Sequence, residues 1–169
     1  MSELYRVTIF FCLITPLCLT GSGLRAQEKP TGVEVEMVQS NEVKLPAEFQ
    51  VALYENLVQQ LQKKRKFEHI YRDGDRNATE RPDTIVLHST VEGFKQGSER
   101  ERQVTTVAGT TSIRVHCRFS DMEGHTLLER DLKGKVRFFG GNLRATSDFA
   151  KKAASAAQEV TIPAKSKSS

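Results

Sequence analysis

The hydrophobic positions between Pro46 and Lys66 recur at the spacing of one helix face. Phe49, Leu53, Leu57 and Leu61 are four residues apart, and polar residues fill most of the positions between them. This spacing predicts an amphipathic helix over Pro46–Lys66 with one buried stripe.

A second helix is predicted over Asn142–Thr161. Its apolar stripe consists of Phe149, Ala153, Ala156, Ala157 and Val160. Because alanine is small, we expect this helix to lie close to the surface that it covers.

Most of the remaining chain alternates between apolar and polar residues, which is typical of strands with one wet face. Charged or turn-forming connections, Asp73–Asp83 and Lys95–Gln103, separate the third strand from its neighbours. The fourth strand is either continuous or broken near Gly109. The predicted strands are Val33–Val38, Phe67–Tyr71, Thr84–Phe94, Val104–Ser120 and Thr126–Phe139.

The last two strands predict a hairpin with a turn at Met122–His125. That turn places Phe119 opposite Leu128, Arg118 opposite Glu129, Cys117 opposite Arg130 and His116 opposite Asp131. Opposed charges of opposite sign stabilise such pairing. Arg130 then falls on the inner face, so it either reaches solvent at the sheet edge or is shifted by a bulge.

These elements predict an α+β fold. We expect a two-layer sandwich whose mostly antiparallel sheet of four to five strands carries two amphipathic helices on one face. A single domain over 33–162 follows a flexible lead-in at 27–32 and precedes a disordered tail at 163–169.

The first 26 residues have the layout of a secretory signal peptide. An apolar run, Val7–Thr20, is followed by Gly21–Gly23, and Leu24–Ala26 offers a cleavage point before Gln27. The run is short for a bilayer span. An uncleaved membrane anchor is the alternative. No further apolar run predicts a transmembrane segment.

The cysteines argue against both lipidation and a disulfide. Cys12 and Cys18 follow the large residues Phe11 and Leu17, whereas a lipoprotein signal needs a small residue there. Only Cys117 remains after cleavage, and one thiol cannot form an internal disulfide. We predict that Cys117 is a small buried hydrophobe, with a reactive thiol as the alternative.

Charge limits the class of partner. The chain has 169 residues and a net charge of +4; without the leader, 143 residues carry 23 Lys+Arg against 20 Asp+Glu, or +3. This excess is too mild to predict nucleic-acid binding. Its concentrated parts are the candidate binding residues: Lys63, Lys64 and Arg65, next to Lys66, and Lys133, Lys135 and Arg137.

The first basic cluster has two interpretations. Cations at the end of a helix interact favourably with the helix dipole. The same cations could bind phosphate or anionic lipid. Four cations are few for a nucleic-acid site, so the sequence favours the helix-end interpretation.

Motifs for catalysis or metal binding are missing. Asp73, Asp75 and Asn77 have the spacing of a calcium loop, but Ala78 and Thr84 replace its glycine and glutamate. The sequence contains no nucleophile elbow and no zinc-protease motif. We therefore predict no metal, no cofactor and no enzymatic activity, and we interpret His116–Asp131 as a cross-strand pair.

Over roughly residues 33–160 the chain resembles a bacterial envelope family known only as domain-of-unknown-function family 4410. The matching stretches are Leu45-Pro46, Leu61 with Phe67–Ile70, Asp83–Leu87, Val91–Gly97, Gly109–Val115, and Asp121–Gly124 before Leu127-Leu128. The resemblance implies an exported or lipid-anchored envelope protein without an assigned activity. The chain departs from it in lacking a lipidation signal.

Two functional hypotheses follow. The first is an exported, non-catalytic module of the periplasm or cell envelope that binds an envelope protein through a sheet edge or the wet sheet face. The alternative is a periplasmic module that binds a small ligand or anion through the basic residues. Neither requires nucleic acid or a transmembrane segment after cleavage.

Overall fold

A computed structural model describes residues 27–104, 109–136 and 141–163. The leader, the tail from residue 164 and Arg137 lie outside the described residues. The helices are α1 (Ala47–Lys64), α2 (Arg76–Thr79), α3 (Glu99–Val104) and α4 (Arg144–Ala156), the last continued by a 3-10 turn at Ala157–Glu159. The strands are β1 (Gln27–Glu28), β2 (Gly32–Val35), β3 (His69–Arg72), β4 (Thr84–Lys95), β5 (Thr111–Asp121), β6 (Thr126–Val136) and β7 (Ile162–Pro163).

The main sheet has five strands in the order β3-β2-β4-β5-β6. The long ladders β4–β5 and β5–β6 are antiparallel, whereas β2 pairs in parallel with both β3 and β4. The parallel pairing of β2 with β3 is possible because α1 connects them, and parallel neighbours need such a crossover. The predicted α+β fold is confirmed.

The predicted hairpin is confirmed in its register. Phe119 faces Leu128, Arg118 faces Glu129, and His116 faces Asp131. Arg130 faces Cys117 on the outermost strand. Its guanidinium reaches around the edge, where Nη2 lies 3.3 Å from Glu159 Oε2. Of the two expected solutions for Arg130, the structure has the solvent-reaching one.

The predicted fourth strand is not continuous from Val104, so the interpretation with a break near Gly109 fits better. Val104, its predicted first residue, instead ends α3, which lies in the charged connection that follows β4. Strand β5 begins at Thr111, after Gly109 with a φ of +76°. The described part of this segment is therefore a strand only beyond Gly109.

A bulge in β4 changes which residues face the core. The register with β5 shifts between Val91 and Gly93, so Glu92 is the extra residue. Val91 and Phe94 thereby both face the helices, three residues apart instead of two. Phe94 packs edge-on against Phe49 of α1, with ring centroids 4.7 Å apart.

The α1 stripe forms one wall of the core. Phe49, Leu53, Leu57 and Leu61 are fully buried, as the four-residue spacing predicts. The helix begins after Pro46 and ends at Arg65, which adopts the left-handed conformation and donates its backbone N–H to the carbonyl of Gln62.

The α4 stripe packs directly on the sheet and beside α1. Phe149, Ala153 and Ala157 are fully buried. A Cβ at Gly134 of β6 would lie 2.1 Å from the carbonyl oxygen of Ala145. Glycine in the strand and alanine in the helix therefore allow the close approach that the sequence predicts.

Two segments are more ordered than the sequence predicts. The loop Asp73–Asp83 contains α2, in which Asp75 Oδ1 accepts the backbone N–H of Asn77 and Ala78 is fully buried. In the predicted lead-in and tail, Gln27 pairs with Pro163 and Glu28 with Ile162. The two ends of the described chain are thus paired side by side.

Candidate functional site

The candidate site is the sheet face opposite α1 and α4, here called the polar face. Alternation along β5 and β6 places charged side chains on this face and apolar ones beneath the helices. On the three antiparallel strands the polar face consists of His88, Thr90, Glu92, Lys95, Ser112, Arg114, His116, Arg118, Ser120, Glu129, Asp131, Lys133 and Lys135.

The middle of the polar face is an ion-pair cluster around His116. Its Nδ1 lies 2.7 Å from Asp131 Oδ1, and its Nε2 lies 4.0 Å from Glu129 Oε1. Glu92 reaches the same place from the bulge, and one ligand atom each of Glu92, His116 and Asp131 lie within 4.8 Å of one another. Such a set is chemically able to bind a divalent cation.

A simpler chemistry accounts for the same geometry. Asp131 and Glu129 are mostly exposed, and Glu92 also faces Arg114, with Oε2 3.5 Å from Nε. These are cross-strand charge pairs of the kind that stabilise neighbouring strands. The expectation that the protein needs no metal stays a prediction.

Toward the end of the sheet where β4 ends at Lys95, the polar face becomes predominantly positive. Arg114 lies directly opposite Lys133, and Ser112 of β5 lies between Lys95 and Lys135 in the next row. We call Lys95, Arg114, Lys133 and Lys135 the basic end. Within the described chain, no carboxylate forms an ion pair with any of its three lysines.

A hydrogen-bonded trio that sequence reasoning missed lies on the other side of the cluster. His88 Nδ1 is 2.5 Å from Glu36 Oε2, and its Nε2 is 3.0 Å from Ser120 Oγ. The order serine, histidine, carboxylate is that of a nucleophile, its base and an orienting group. The three residues come from distant segments without a shared motif, so only the strand order could reveal them.

The trio lacks an accessible nucleophile. Ser120 is only 2% exposed. A nucleophile must approach its substrate to about 3 Å, and a buried hydroxyl on a sheet face cannot do so without rearrangement. The contacts accordingly support a role in holding β2, β4 and β5 together through side chains.

Cys117 lies beneath the polar face, as predicted for a buried hydrophobe. It is fully buried, and burial raises the pKa of its thiol to about 12, with a smaller rise from Asp131 and an opposing hydrogen bond from Ser89. Because the thiolate is the reactive form, this thiol is poorly reactive at neutral pH.

The backbone edge of β6 is partly occupied by charged side chains. Lys152 Nζ donates to the carbonyl of Lys133 at 2.6 Å, and Asp148 Oδ2 accepts the N–H of Lys135 at 3.0 Å. Arg130 Nη1 donates to the carbonyl of Glu129 at 3.1 Å. Charged side chains over an edge hinder the addition of a further strand.

The first basic cluster lies elsewhere, at the end of α1. Lys63, Lys64 and Arg65 are exposed. Lys66 instead donates to the carbonyl of Ala157 at 3.0 Å and lies over the Phe67 ring. Lys66 therefore caps the last turn after α4 rather than α1, and the structure does not bring this cluster together with Lys133 and Lys135 in one site.

The residues with calcium-loop spacing lie in a structured turn, where Asp75 caps α2 by accepting the N–H of Asn77. Asp121, Glu123 and His125 form another compact acidic group in the hairpin turn. There Asp121 Oδ1 accepts the N–H groups of Glu123 and His125, both at 2.9 Å. These bonds are those of a turn, so the group is explained without a ligand.

Comparison with solved structures supports the fold. PelC from Paraburkholderia phytofirmans, solved as a dodecamer, matches with a TM-score of 0.56 at 14% identity, over 79% of this chain and 95% of that one. A second structure of PelC, a variant dodecamer, gives the same TM-score at 13% identity, over 79% of this chain and 90% of that one. At such identities the likeness is one of fold alone.

A minor lipoprotein from Acinetobacter baumannii is a more distant match, with a TM-score of 0.44 and 14% identity over 75% of this chain and 91% of that one. No protein-family profile matches the chain, so the resemblance to family 4410 stays a hypothesis. No curated protein matches it either. None of the described helices is long and apolar enough to cross a bilayer.

Proposed function

We propose that this chain is an exported, non-catalytic envelope protein that binds an acidic segment of another protein through the basic end of its polar face. The observation that carries the proposal is the cross-strand pair Arg114–Lys133, with Lys95 and Lys135 in the adjoining row. The family resemblance and the predicted leader both support a location in the cell envelope.

Like charges directly opposite each other destabilise a strand pair. The other charged pairs of the β5–β6 ladder avoid this arrangement: Arg118 faces Glu129, and His116 faces Asp131. The basic end departs from this rule. Arg114 has Glu92 as a counter-charge, but the three lysines have none within the described chain, so carboxylates from a partner would supply it and would draw the partner in by electrostatic attraction.

The face is a better contact surface than the edge. Side chains of Arg130, Asp148 and Lys152 already bond the backbone of β6. Lys95, Arg114 and Lys133 are instead exposed on the face. Of the two modes that the sequence left open, the contacts thus favour side-chain recognition on the sheet face over strand addition.

The experiment is a capture assay from envelope extract with the protein as bait. A Lys133→Glu/Lys135→Glu variant should lose a partner that the wild-type protein retains, and 0.5 M NaCl should release that partner because salt screens exposed charges. Lys44→Glu/Lys151→Glu is the matched control, since it reverses two exposed charges elsewhere. Equal losses in both variants would show a net-charge effect and reject the site.

The second candidate, an anion-binding module, is favoured by the same unpaired lysines. Calorimetry with inorganic phosphate and with lipopolysaccharide fragments separates the two. Saturable binding of a small anion that Lys133→Glu/Lys135→Glu abolishes, without any protein partner, would favour this alternative.

The absence of catalysis is tested at the trio of Glu36, His88 and Ser120. A fluorophosphonate probe reacts with activated serines, and we expect no labelling that Ser120→Ala removes.

Export is tested by mass spectrometry of the protein from its host, with an N-terminus near Gln27 as the expected result. An intact Met1 on cytoplasmic protein would contradict export.

A further inference from the structure

We infer that a second basic surface, separate from the polar face, docks this domain onto an anionic phospholipid bilayer. The surface, here called the basic pole, consists of Lys29, Lys63, Lys64, Arg65 and Lys66. The inference goes beyond the proposed function, because it concerns neither the polar face nor a protein partner.

The basic pole lies beside the first described segment of the chain. Thr31 accepts the backbone N–H groups of Glu68 and His69 through its carbonyl oxygen, at 2.8 and 3.2 Å. The segment that begins at Gln27 therefore runs beside the segment that follows α1. Burial, and then repulsion by Lys29, lower the pKa of Lys66, and attraction to Glu159 opposes this, which agrees with Lys29 and Glu159 both lying near Lys66.

The chain outside the described residues connects to the same place. The apolar run Val7–Thr20 ends seven residues before Gln27. Gln27 is paired with Pro163, so the two ends of the described chain lie side by side here. An apolar leader brings this end of the domain to the bilayer during export, and a cluster of cations beside it is the arrangement that anionic headgroups attract.

The cations of α1 are available for such a contact. Lys63, Lys64 and Arg65 are exposed and make no ion pair within the described part of the chain. Lys66 already donates to Ala157. The pole also contains the exposed acidic residues Glu28 and Glu68, so its attraction to a bilayer is moderate and depends on salt.

The test is flotation with vesicles, using the protein in the form in which export leaves it. We expect retention on vesicles of 30% phosphatidylglycerol in phosphatidylcholine at 0.15 M salt, and much less on phosphatidylcholine alone. A cation near an anionic surface contributes about fivefold in partitioning. Lys63→Glu/Lys64→Glu should therefore lower the partition coefficient by about 25-fold or more.

The matched control is Lys44→Glu/Lys151→Glu, which has the same net charge as Lys63→Glu/Lys64→Glu and should change partitioning by less than about fivefold, the effect of one cation. Equal losses in the two variants, or equal binding of the wild-type protein to both kinds of vesicle, would overturn the inference. If Lys133→Glu/Lys135→Glu loses the protein partner but keeps vesicle binding, the result would support two separate contact surfaces.

Two further measurements do not depend on a folded variant. Raising NaCl from 0.05 to 0.5 M should release the wild-type protein from anionic vesicles, because the screening length shortens. Inorganic phosphate at matched ionic strength should not release it. Release by phosphate would identify a site for one phosphate group and would contradict docking on a bilayer.

Discussion

The two faces of the sheet obey different rules. Beneath α1 and α4, the β5 residues Ile113, Val115, Cys117 and Phe119 are fully buried, whereas on the polar face Arg114 and Arg118 are exposed. The helix-covered face is held by burial and close approach. The polar face carries cross-strand charge pairs of opposite sign, except at its basic end, where Arg114 faces Lys133.

This difference separates stability from function. Burial of apolar surface is the dominant stabilising contribution in a domain of this size. Exposed ion pairs contribute little. The polar face can therefore carry an unfavourable charge arrangement at small cost to the fold, and such an arrangement is informative about function because stability does not explain it.

The largest expected effect lies on the helix-covered face. Leu57→Ala should lower the free energy of unfolding by about 2–5 kcal/mol, because it removes a fully buried side chain and leaves a cavity. Gln59→Ala, at an exposed position two residues away, should change it by less than about 0.5 kcal/mol. Chemical denaturation measures both values, and equal effects would contradict the assigned stripe.

A smaller effect is expected where α4 approaches the sheet. Gly134→Ala should cost about 1–3 kcal/mol, because the added Cβ would lie 2.1 Å from the Ala145 carbonyl oxygen and 2.8 Å from Phe149 Cβ. Gly124→Ala is the contrasting variant, because there the added Cβ would meet no other atom and the strain would come only from the backbone φ of +88°. Thermal denaturation measures the effect. If Gly134→Ala has the same melting temperature as the wild-type protein, α4 is not in close contact with β6.

Glu34 of β2 lies in the same row of the polar face as Ser120, and it should make stability depend on pH. Burial raises the pKa of Glu34, nearby Glu36, Asp73 and Asp75 add to the rise, and a hydrogen bond from the backbone of Gly74 opposes it. A carboxyl whose folded pKa exceeds its unfolded pKa contributes stability at low pH, and this contribution is lost as pH rises through the folded value.

Glu34→Gln should therefore gain stability relative to the wild-type protein between pH 3 and pH 7. Glu55 is the control of opposite sign, since its hydrogen bond to Arg72 lowers its pKa. Glu55→Gln should lose relative stability over the same range. Denaturation at the two pH values measures both differences, and a gain by both variants or by neither would contradict the assigned environments.

Local patterns predicted much of the fold. The stripe of α1 and the register from His116–Asp131 to Phe119–Leu128 follow from periodicity and one short turn. The parallel pairing of β2 with β3 and β4 did not follow, because strand order depends on crossovers that no short pattern encodes. α2 was missed because a single helical turn is too short to have a periodic signal.

The candidate site was predictable only in part. Lys133 and Lys135 stood out as alternating cations in one strand. The opposition of Lys133 to Arg114 depends on the hairpin register. The alignment of Lys135 with Lys95 depends on the bulge at Glu92, whose one sequence signal is Gly93, an isolated glycine within the strand. The contact of His88 with Glu36 and Ser120 required the complete strand order.

The most direct test of the account measures stability and binding on one variant, Lys133→Glu. The substitution replaces one member of a like-charge pair with a carboxylate that faces Arg114, so the free energy of unfolding should rise, by up to about 1 kcal/mol. Retention of the partner in the capture assay should fall. A variant that is less stable yet binds as well as the wild-type protein would contradict the claim that the basic end is kept for binding.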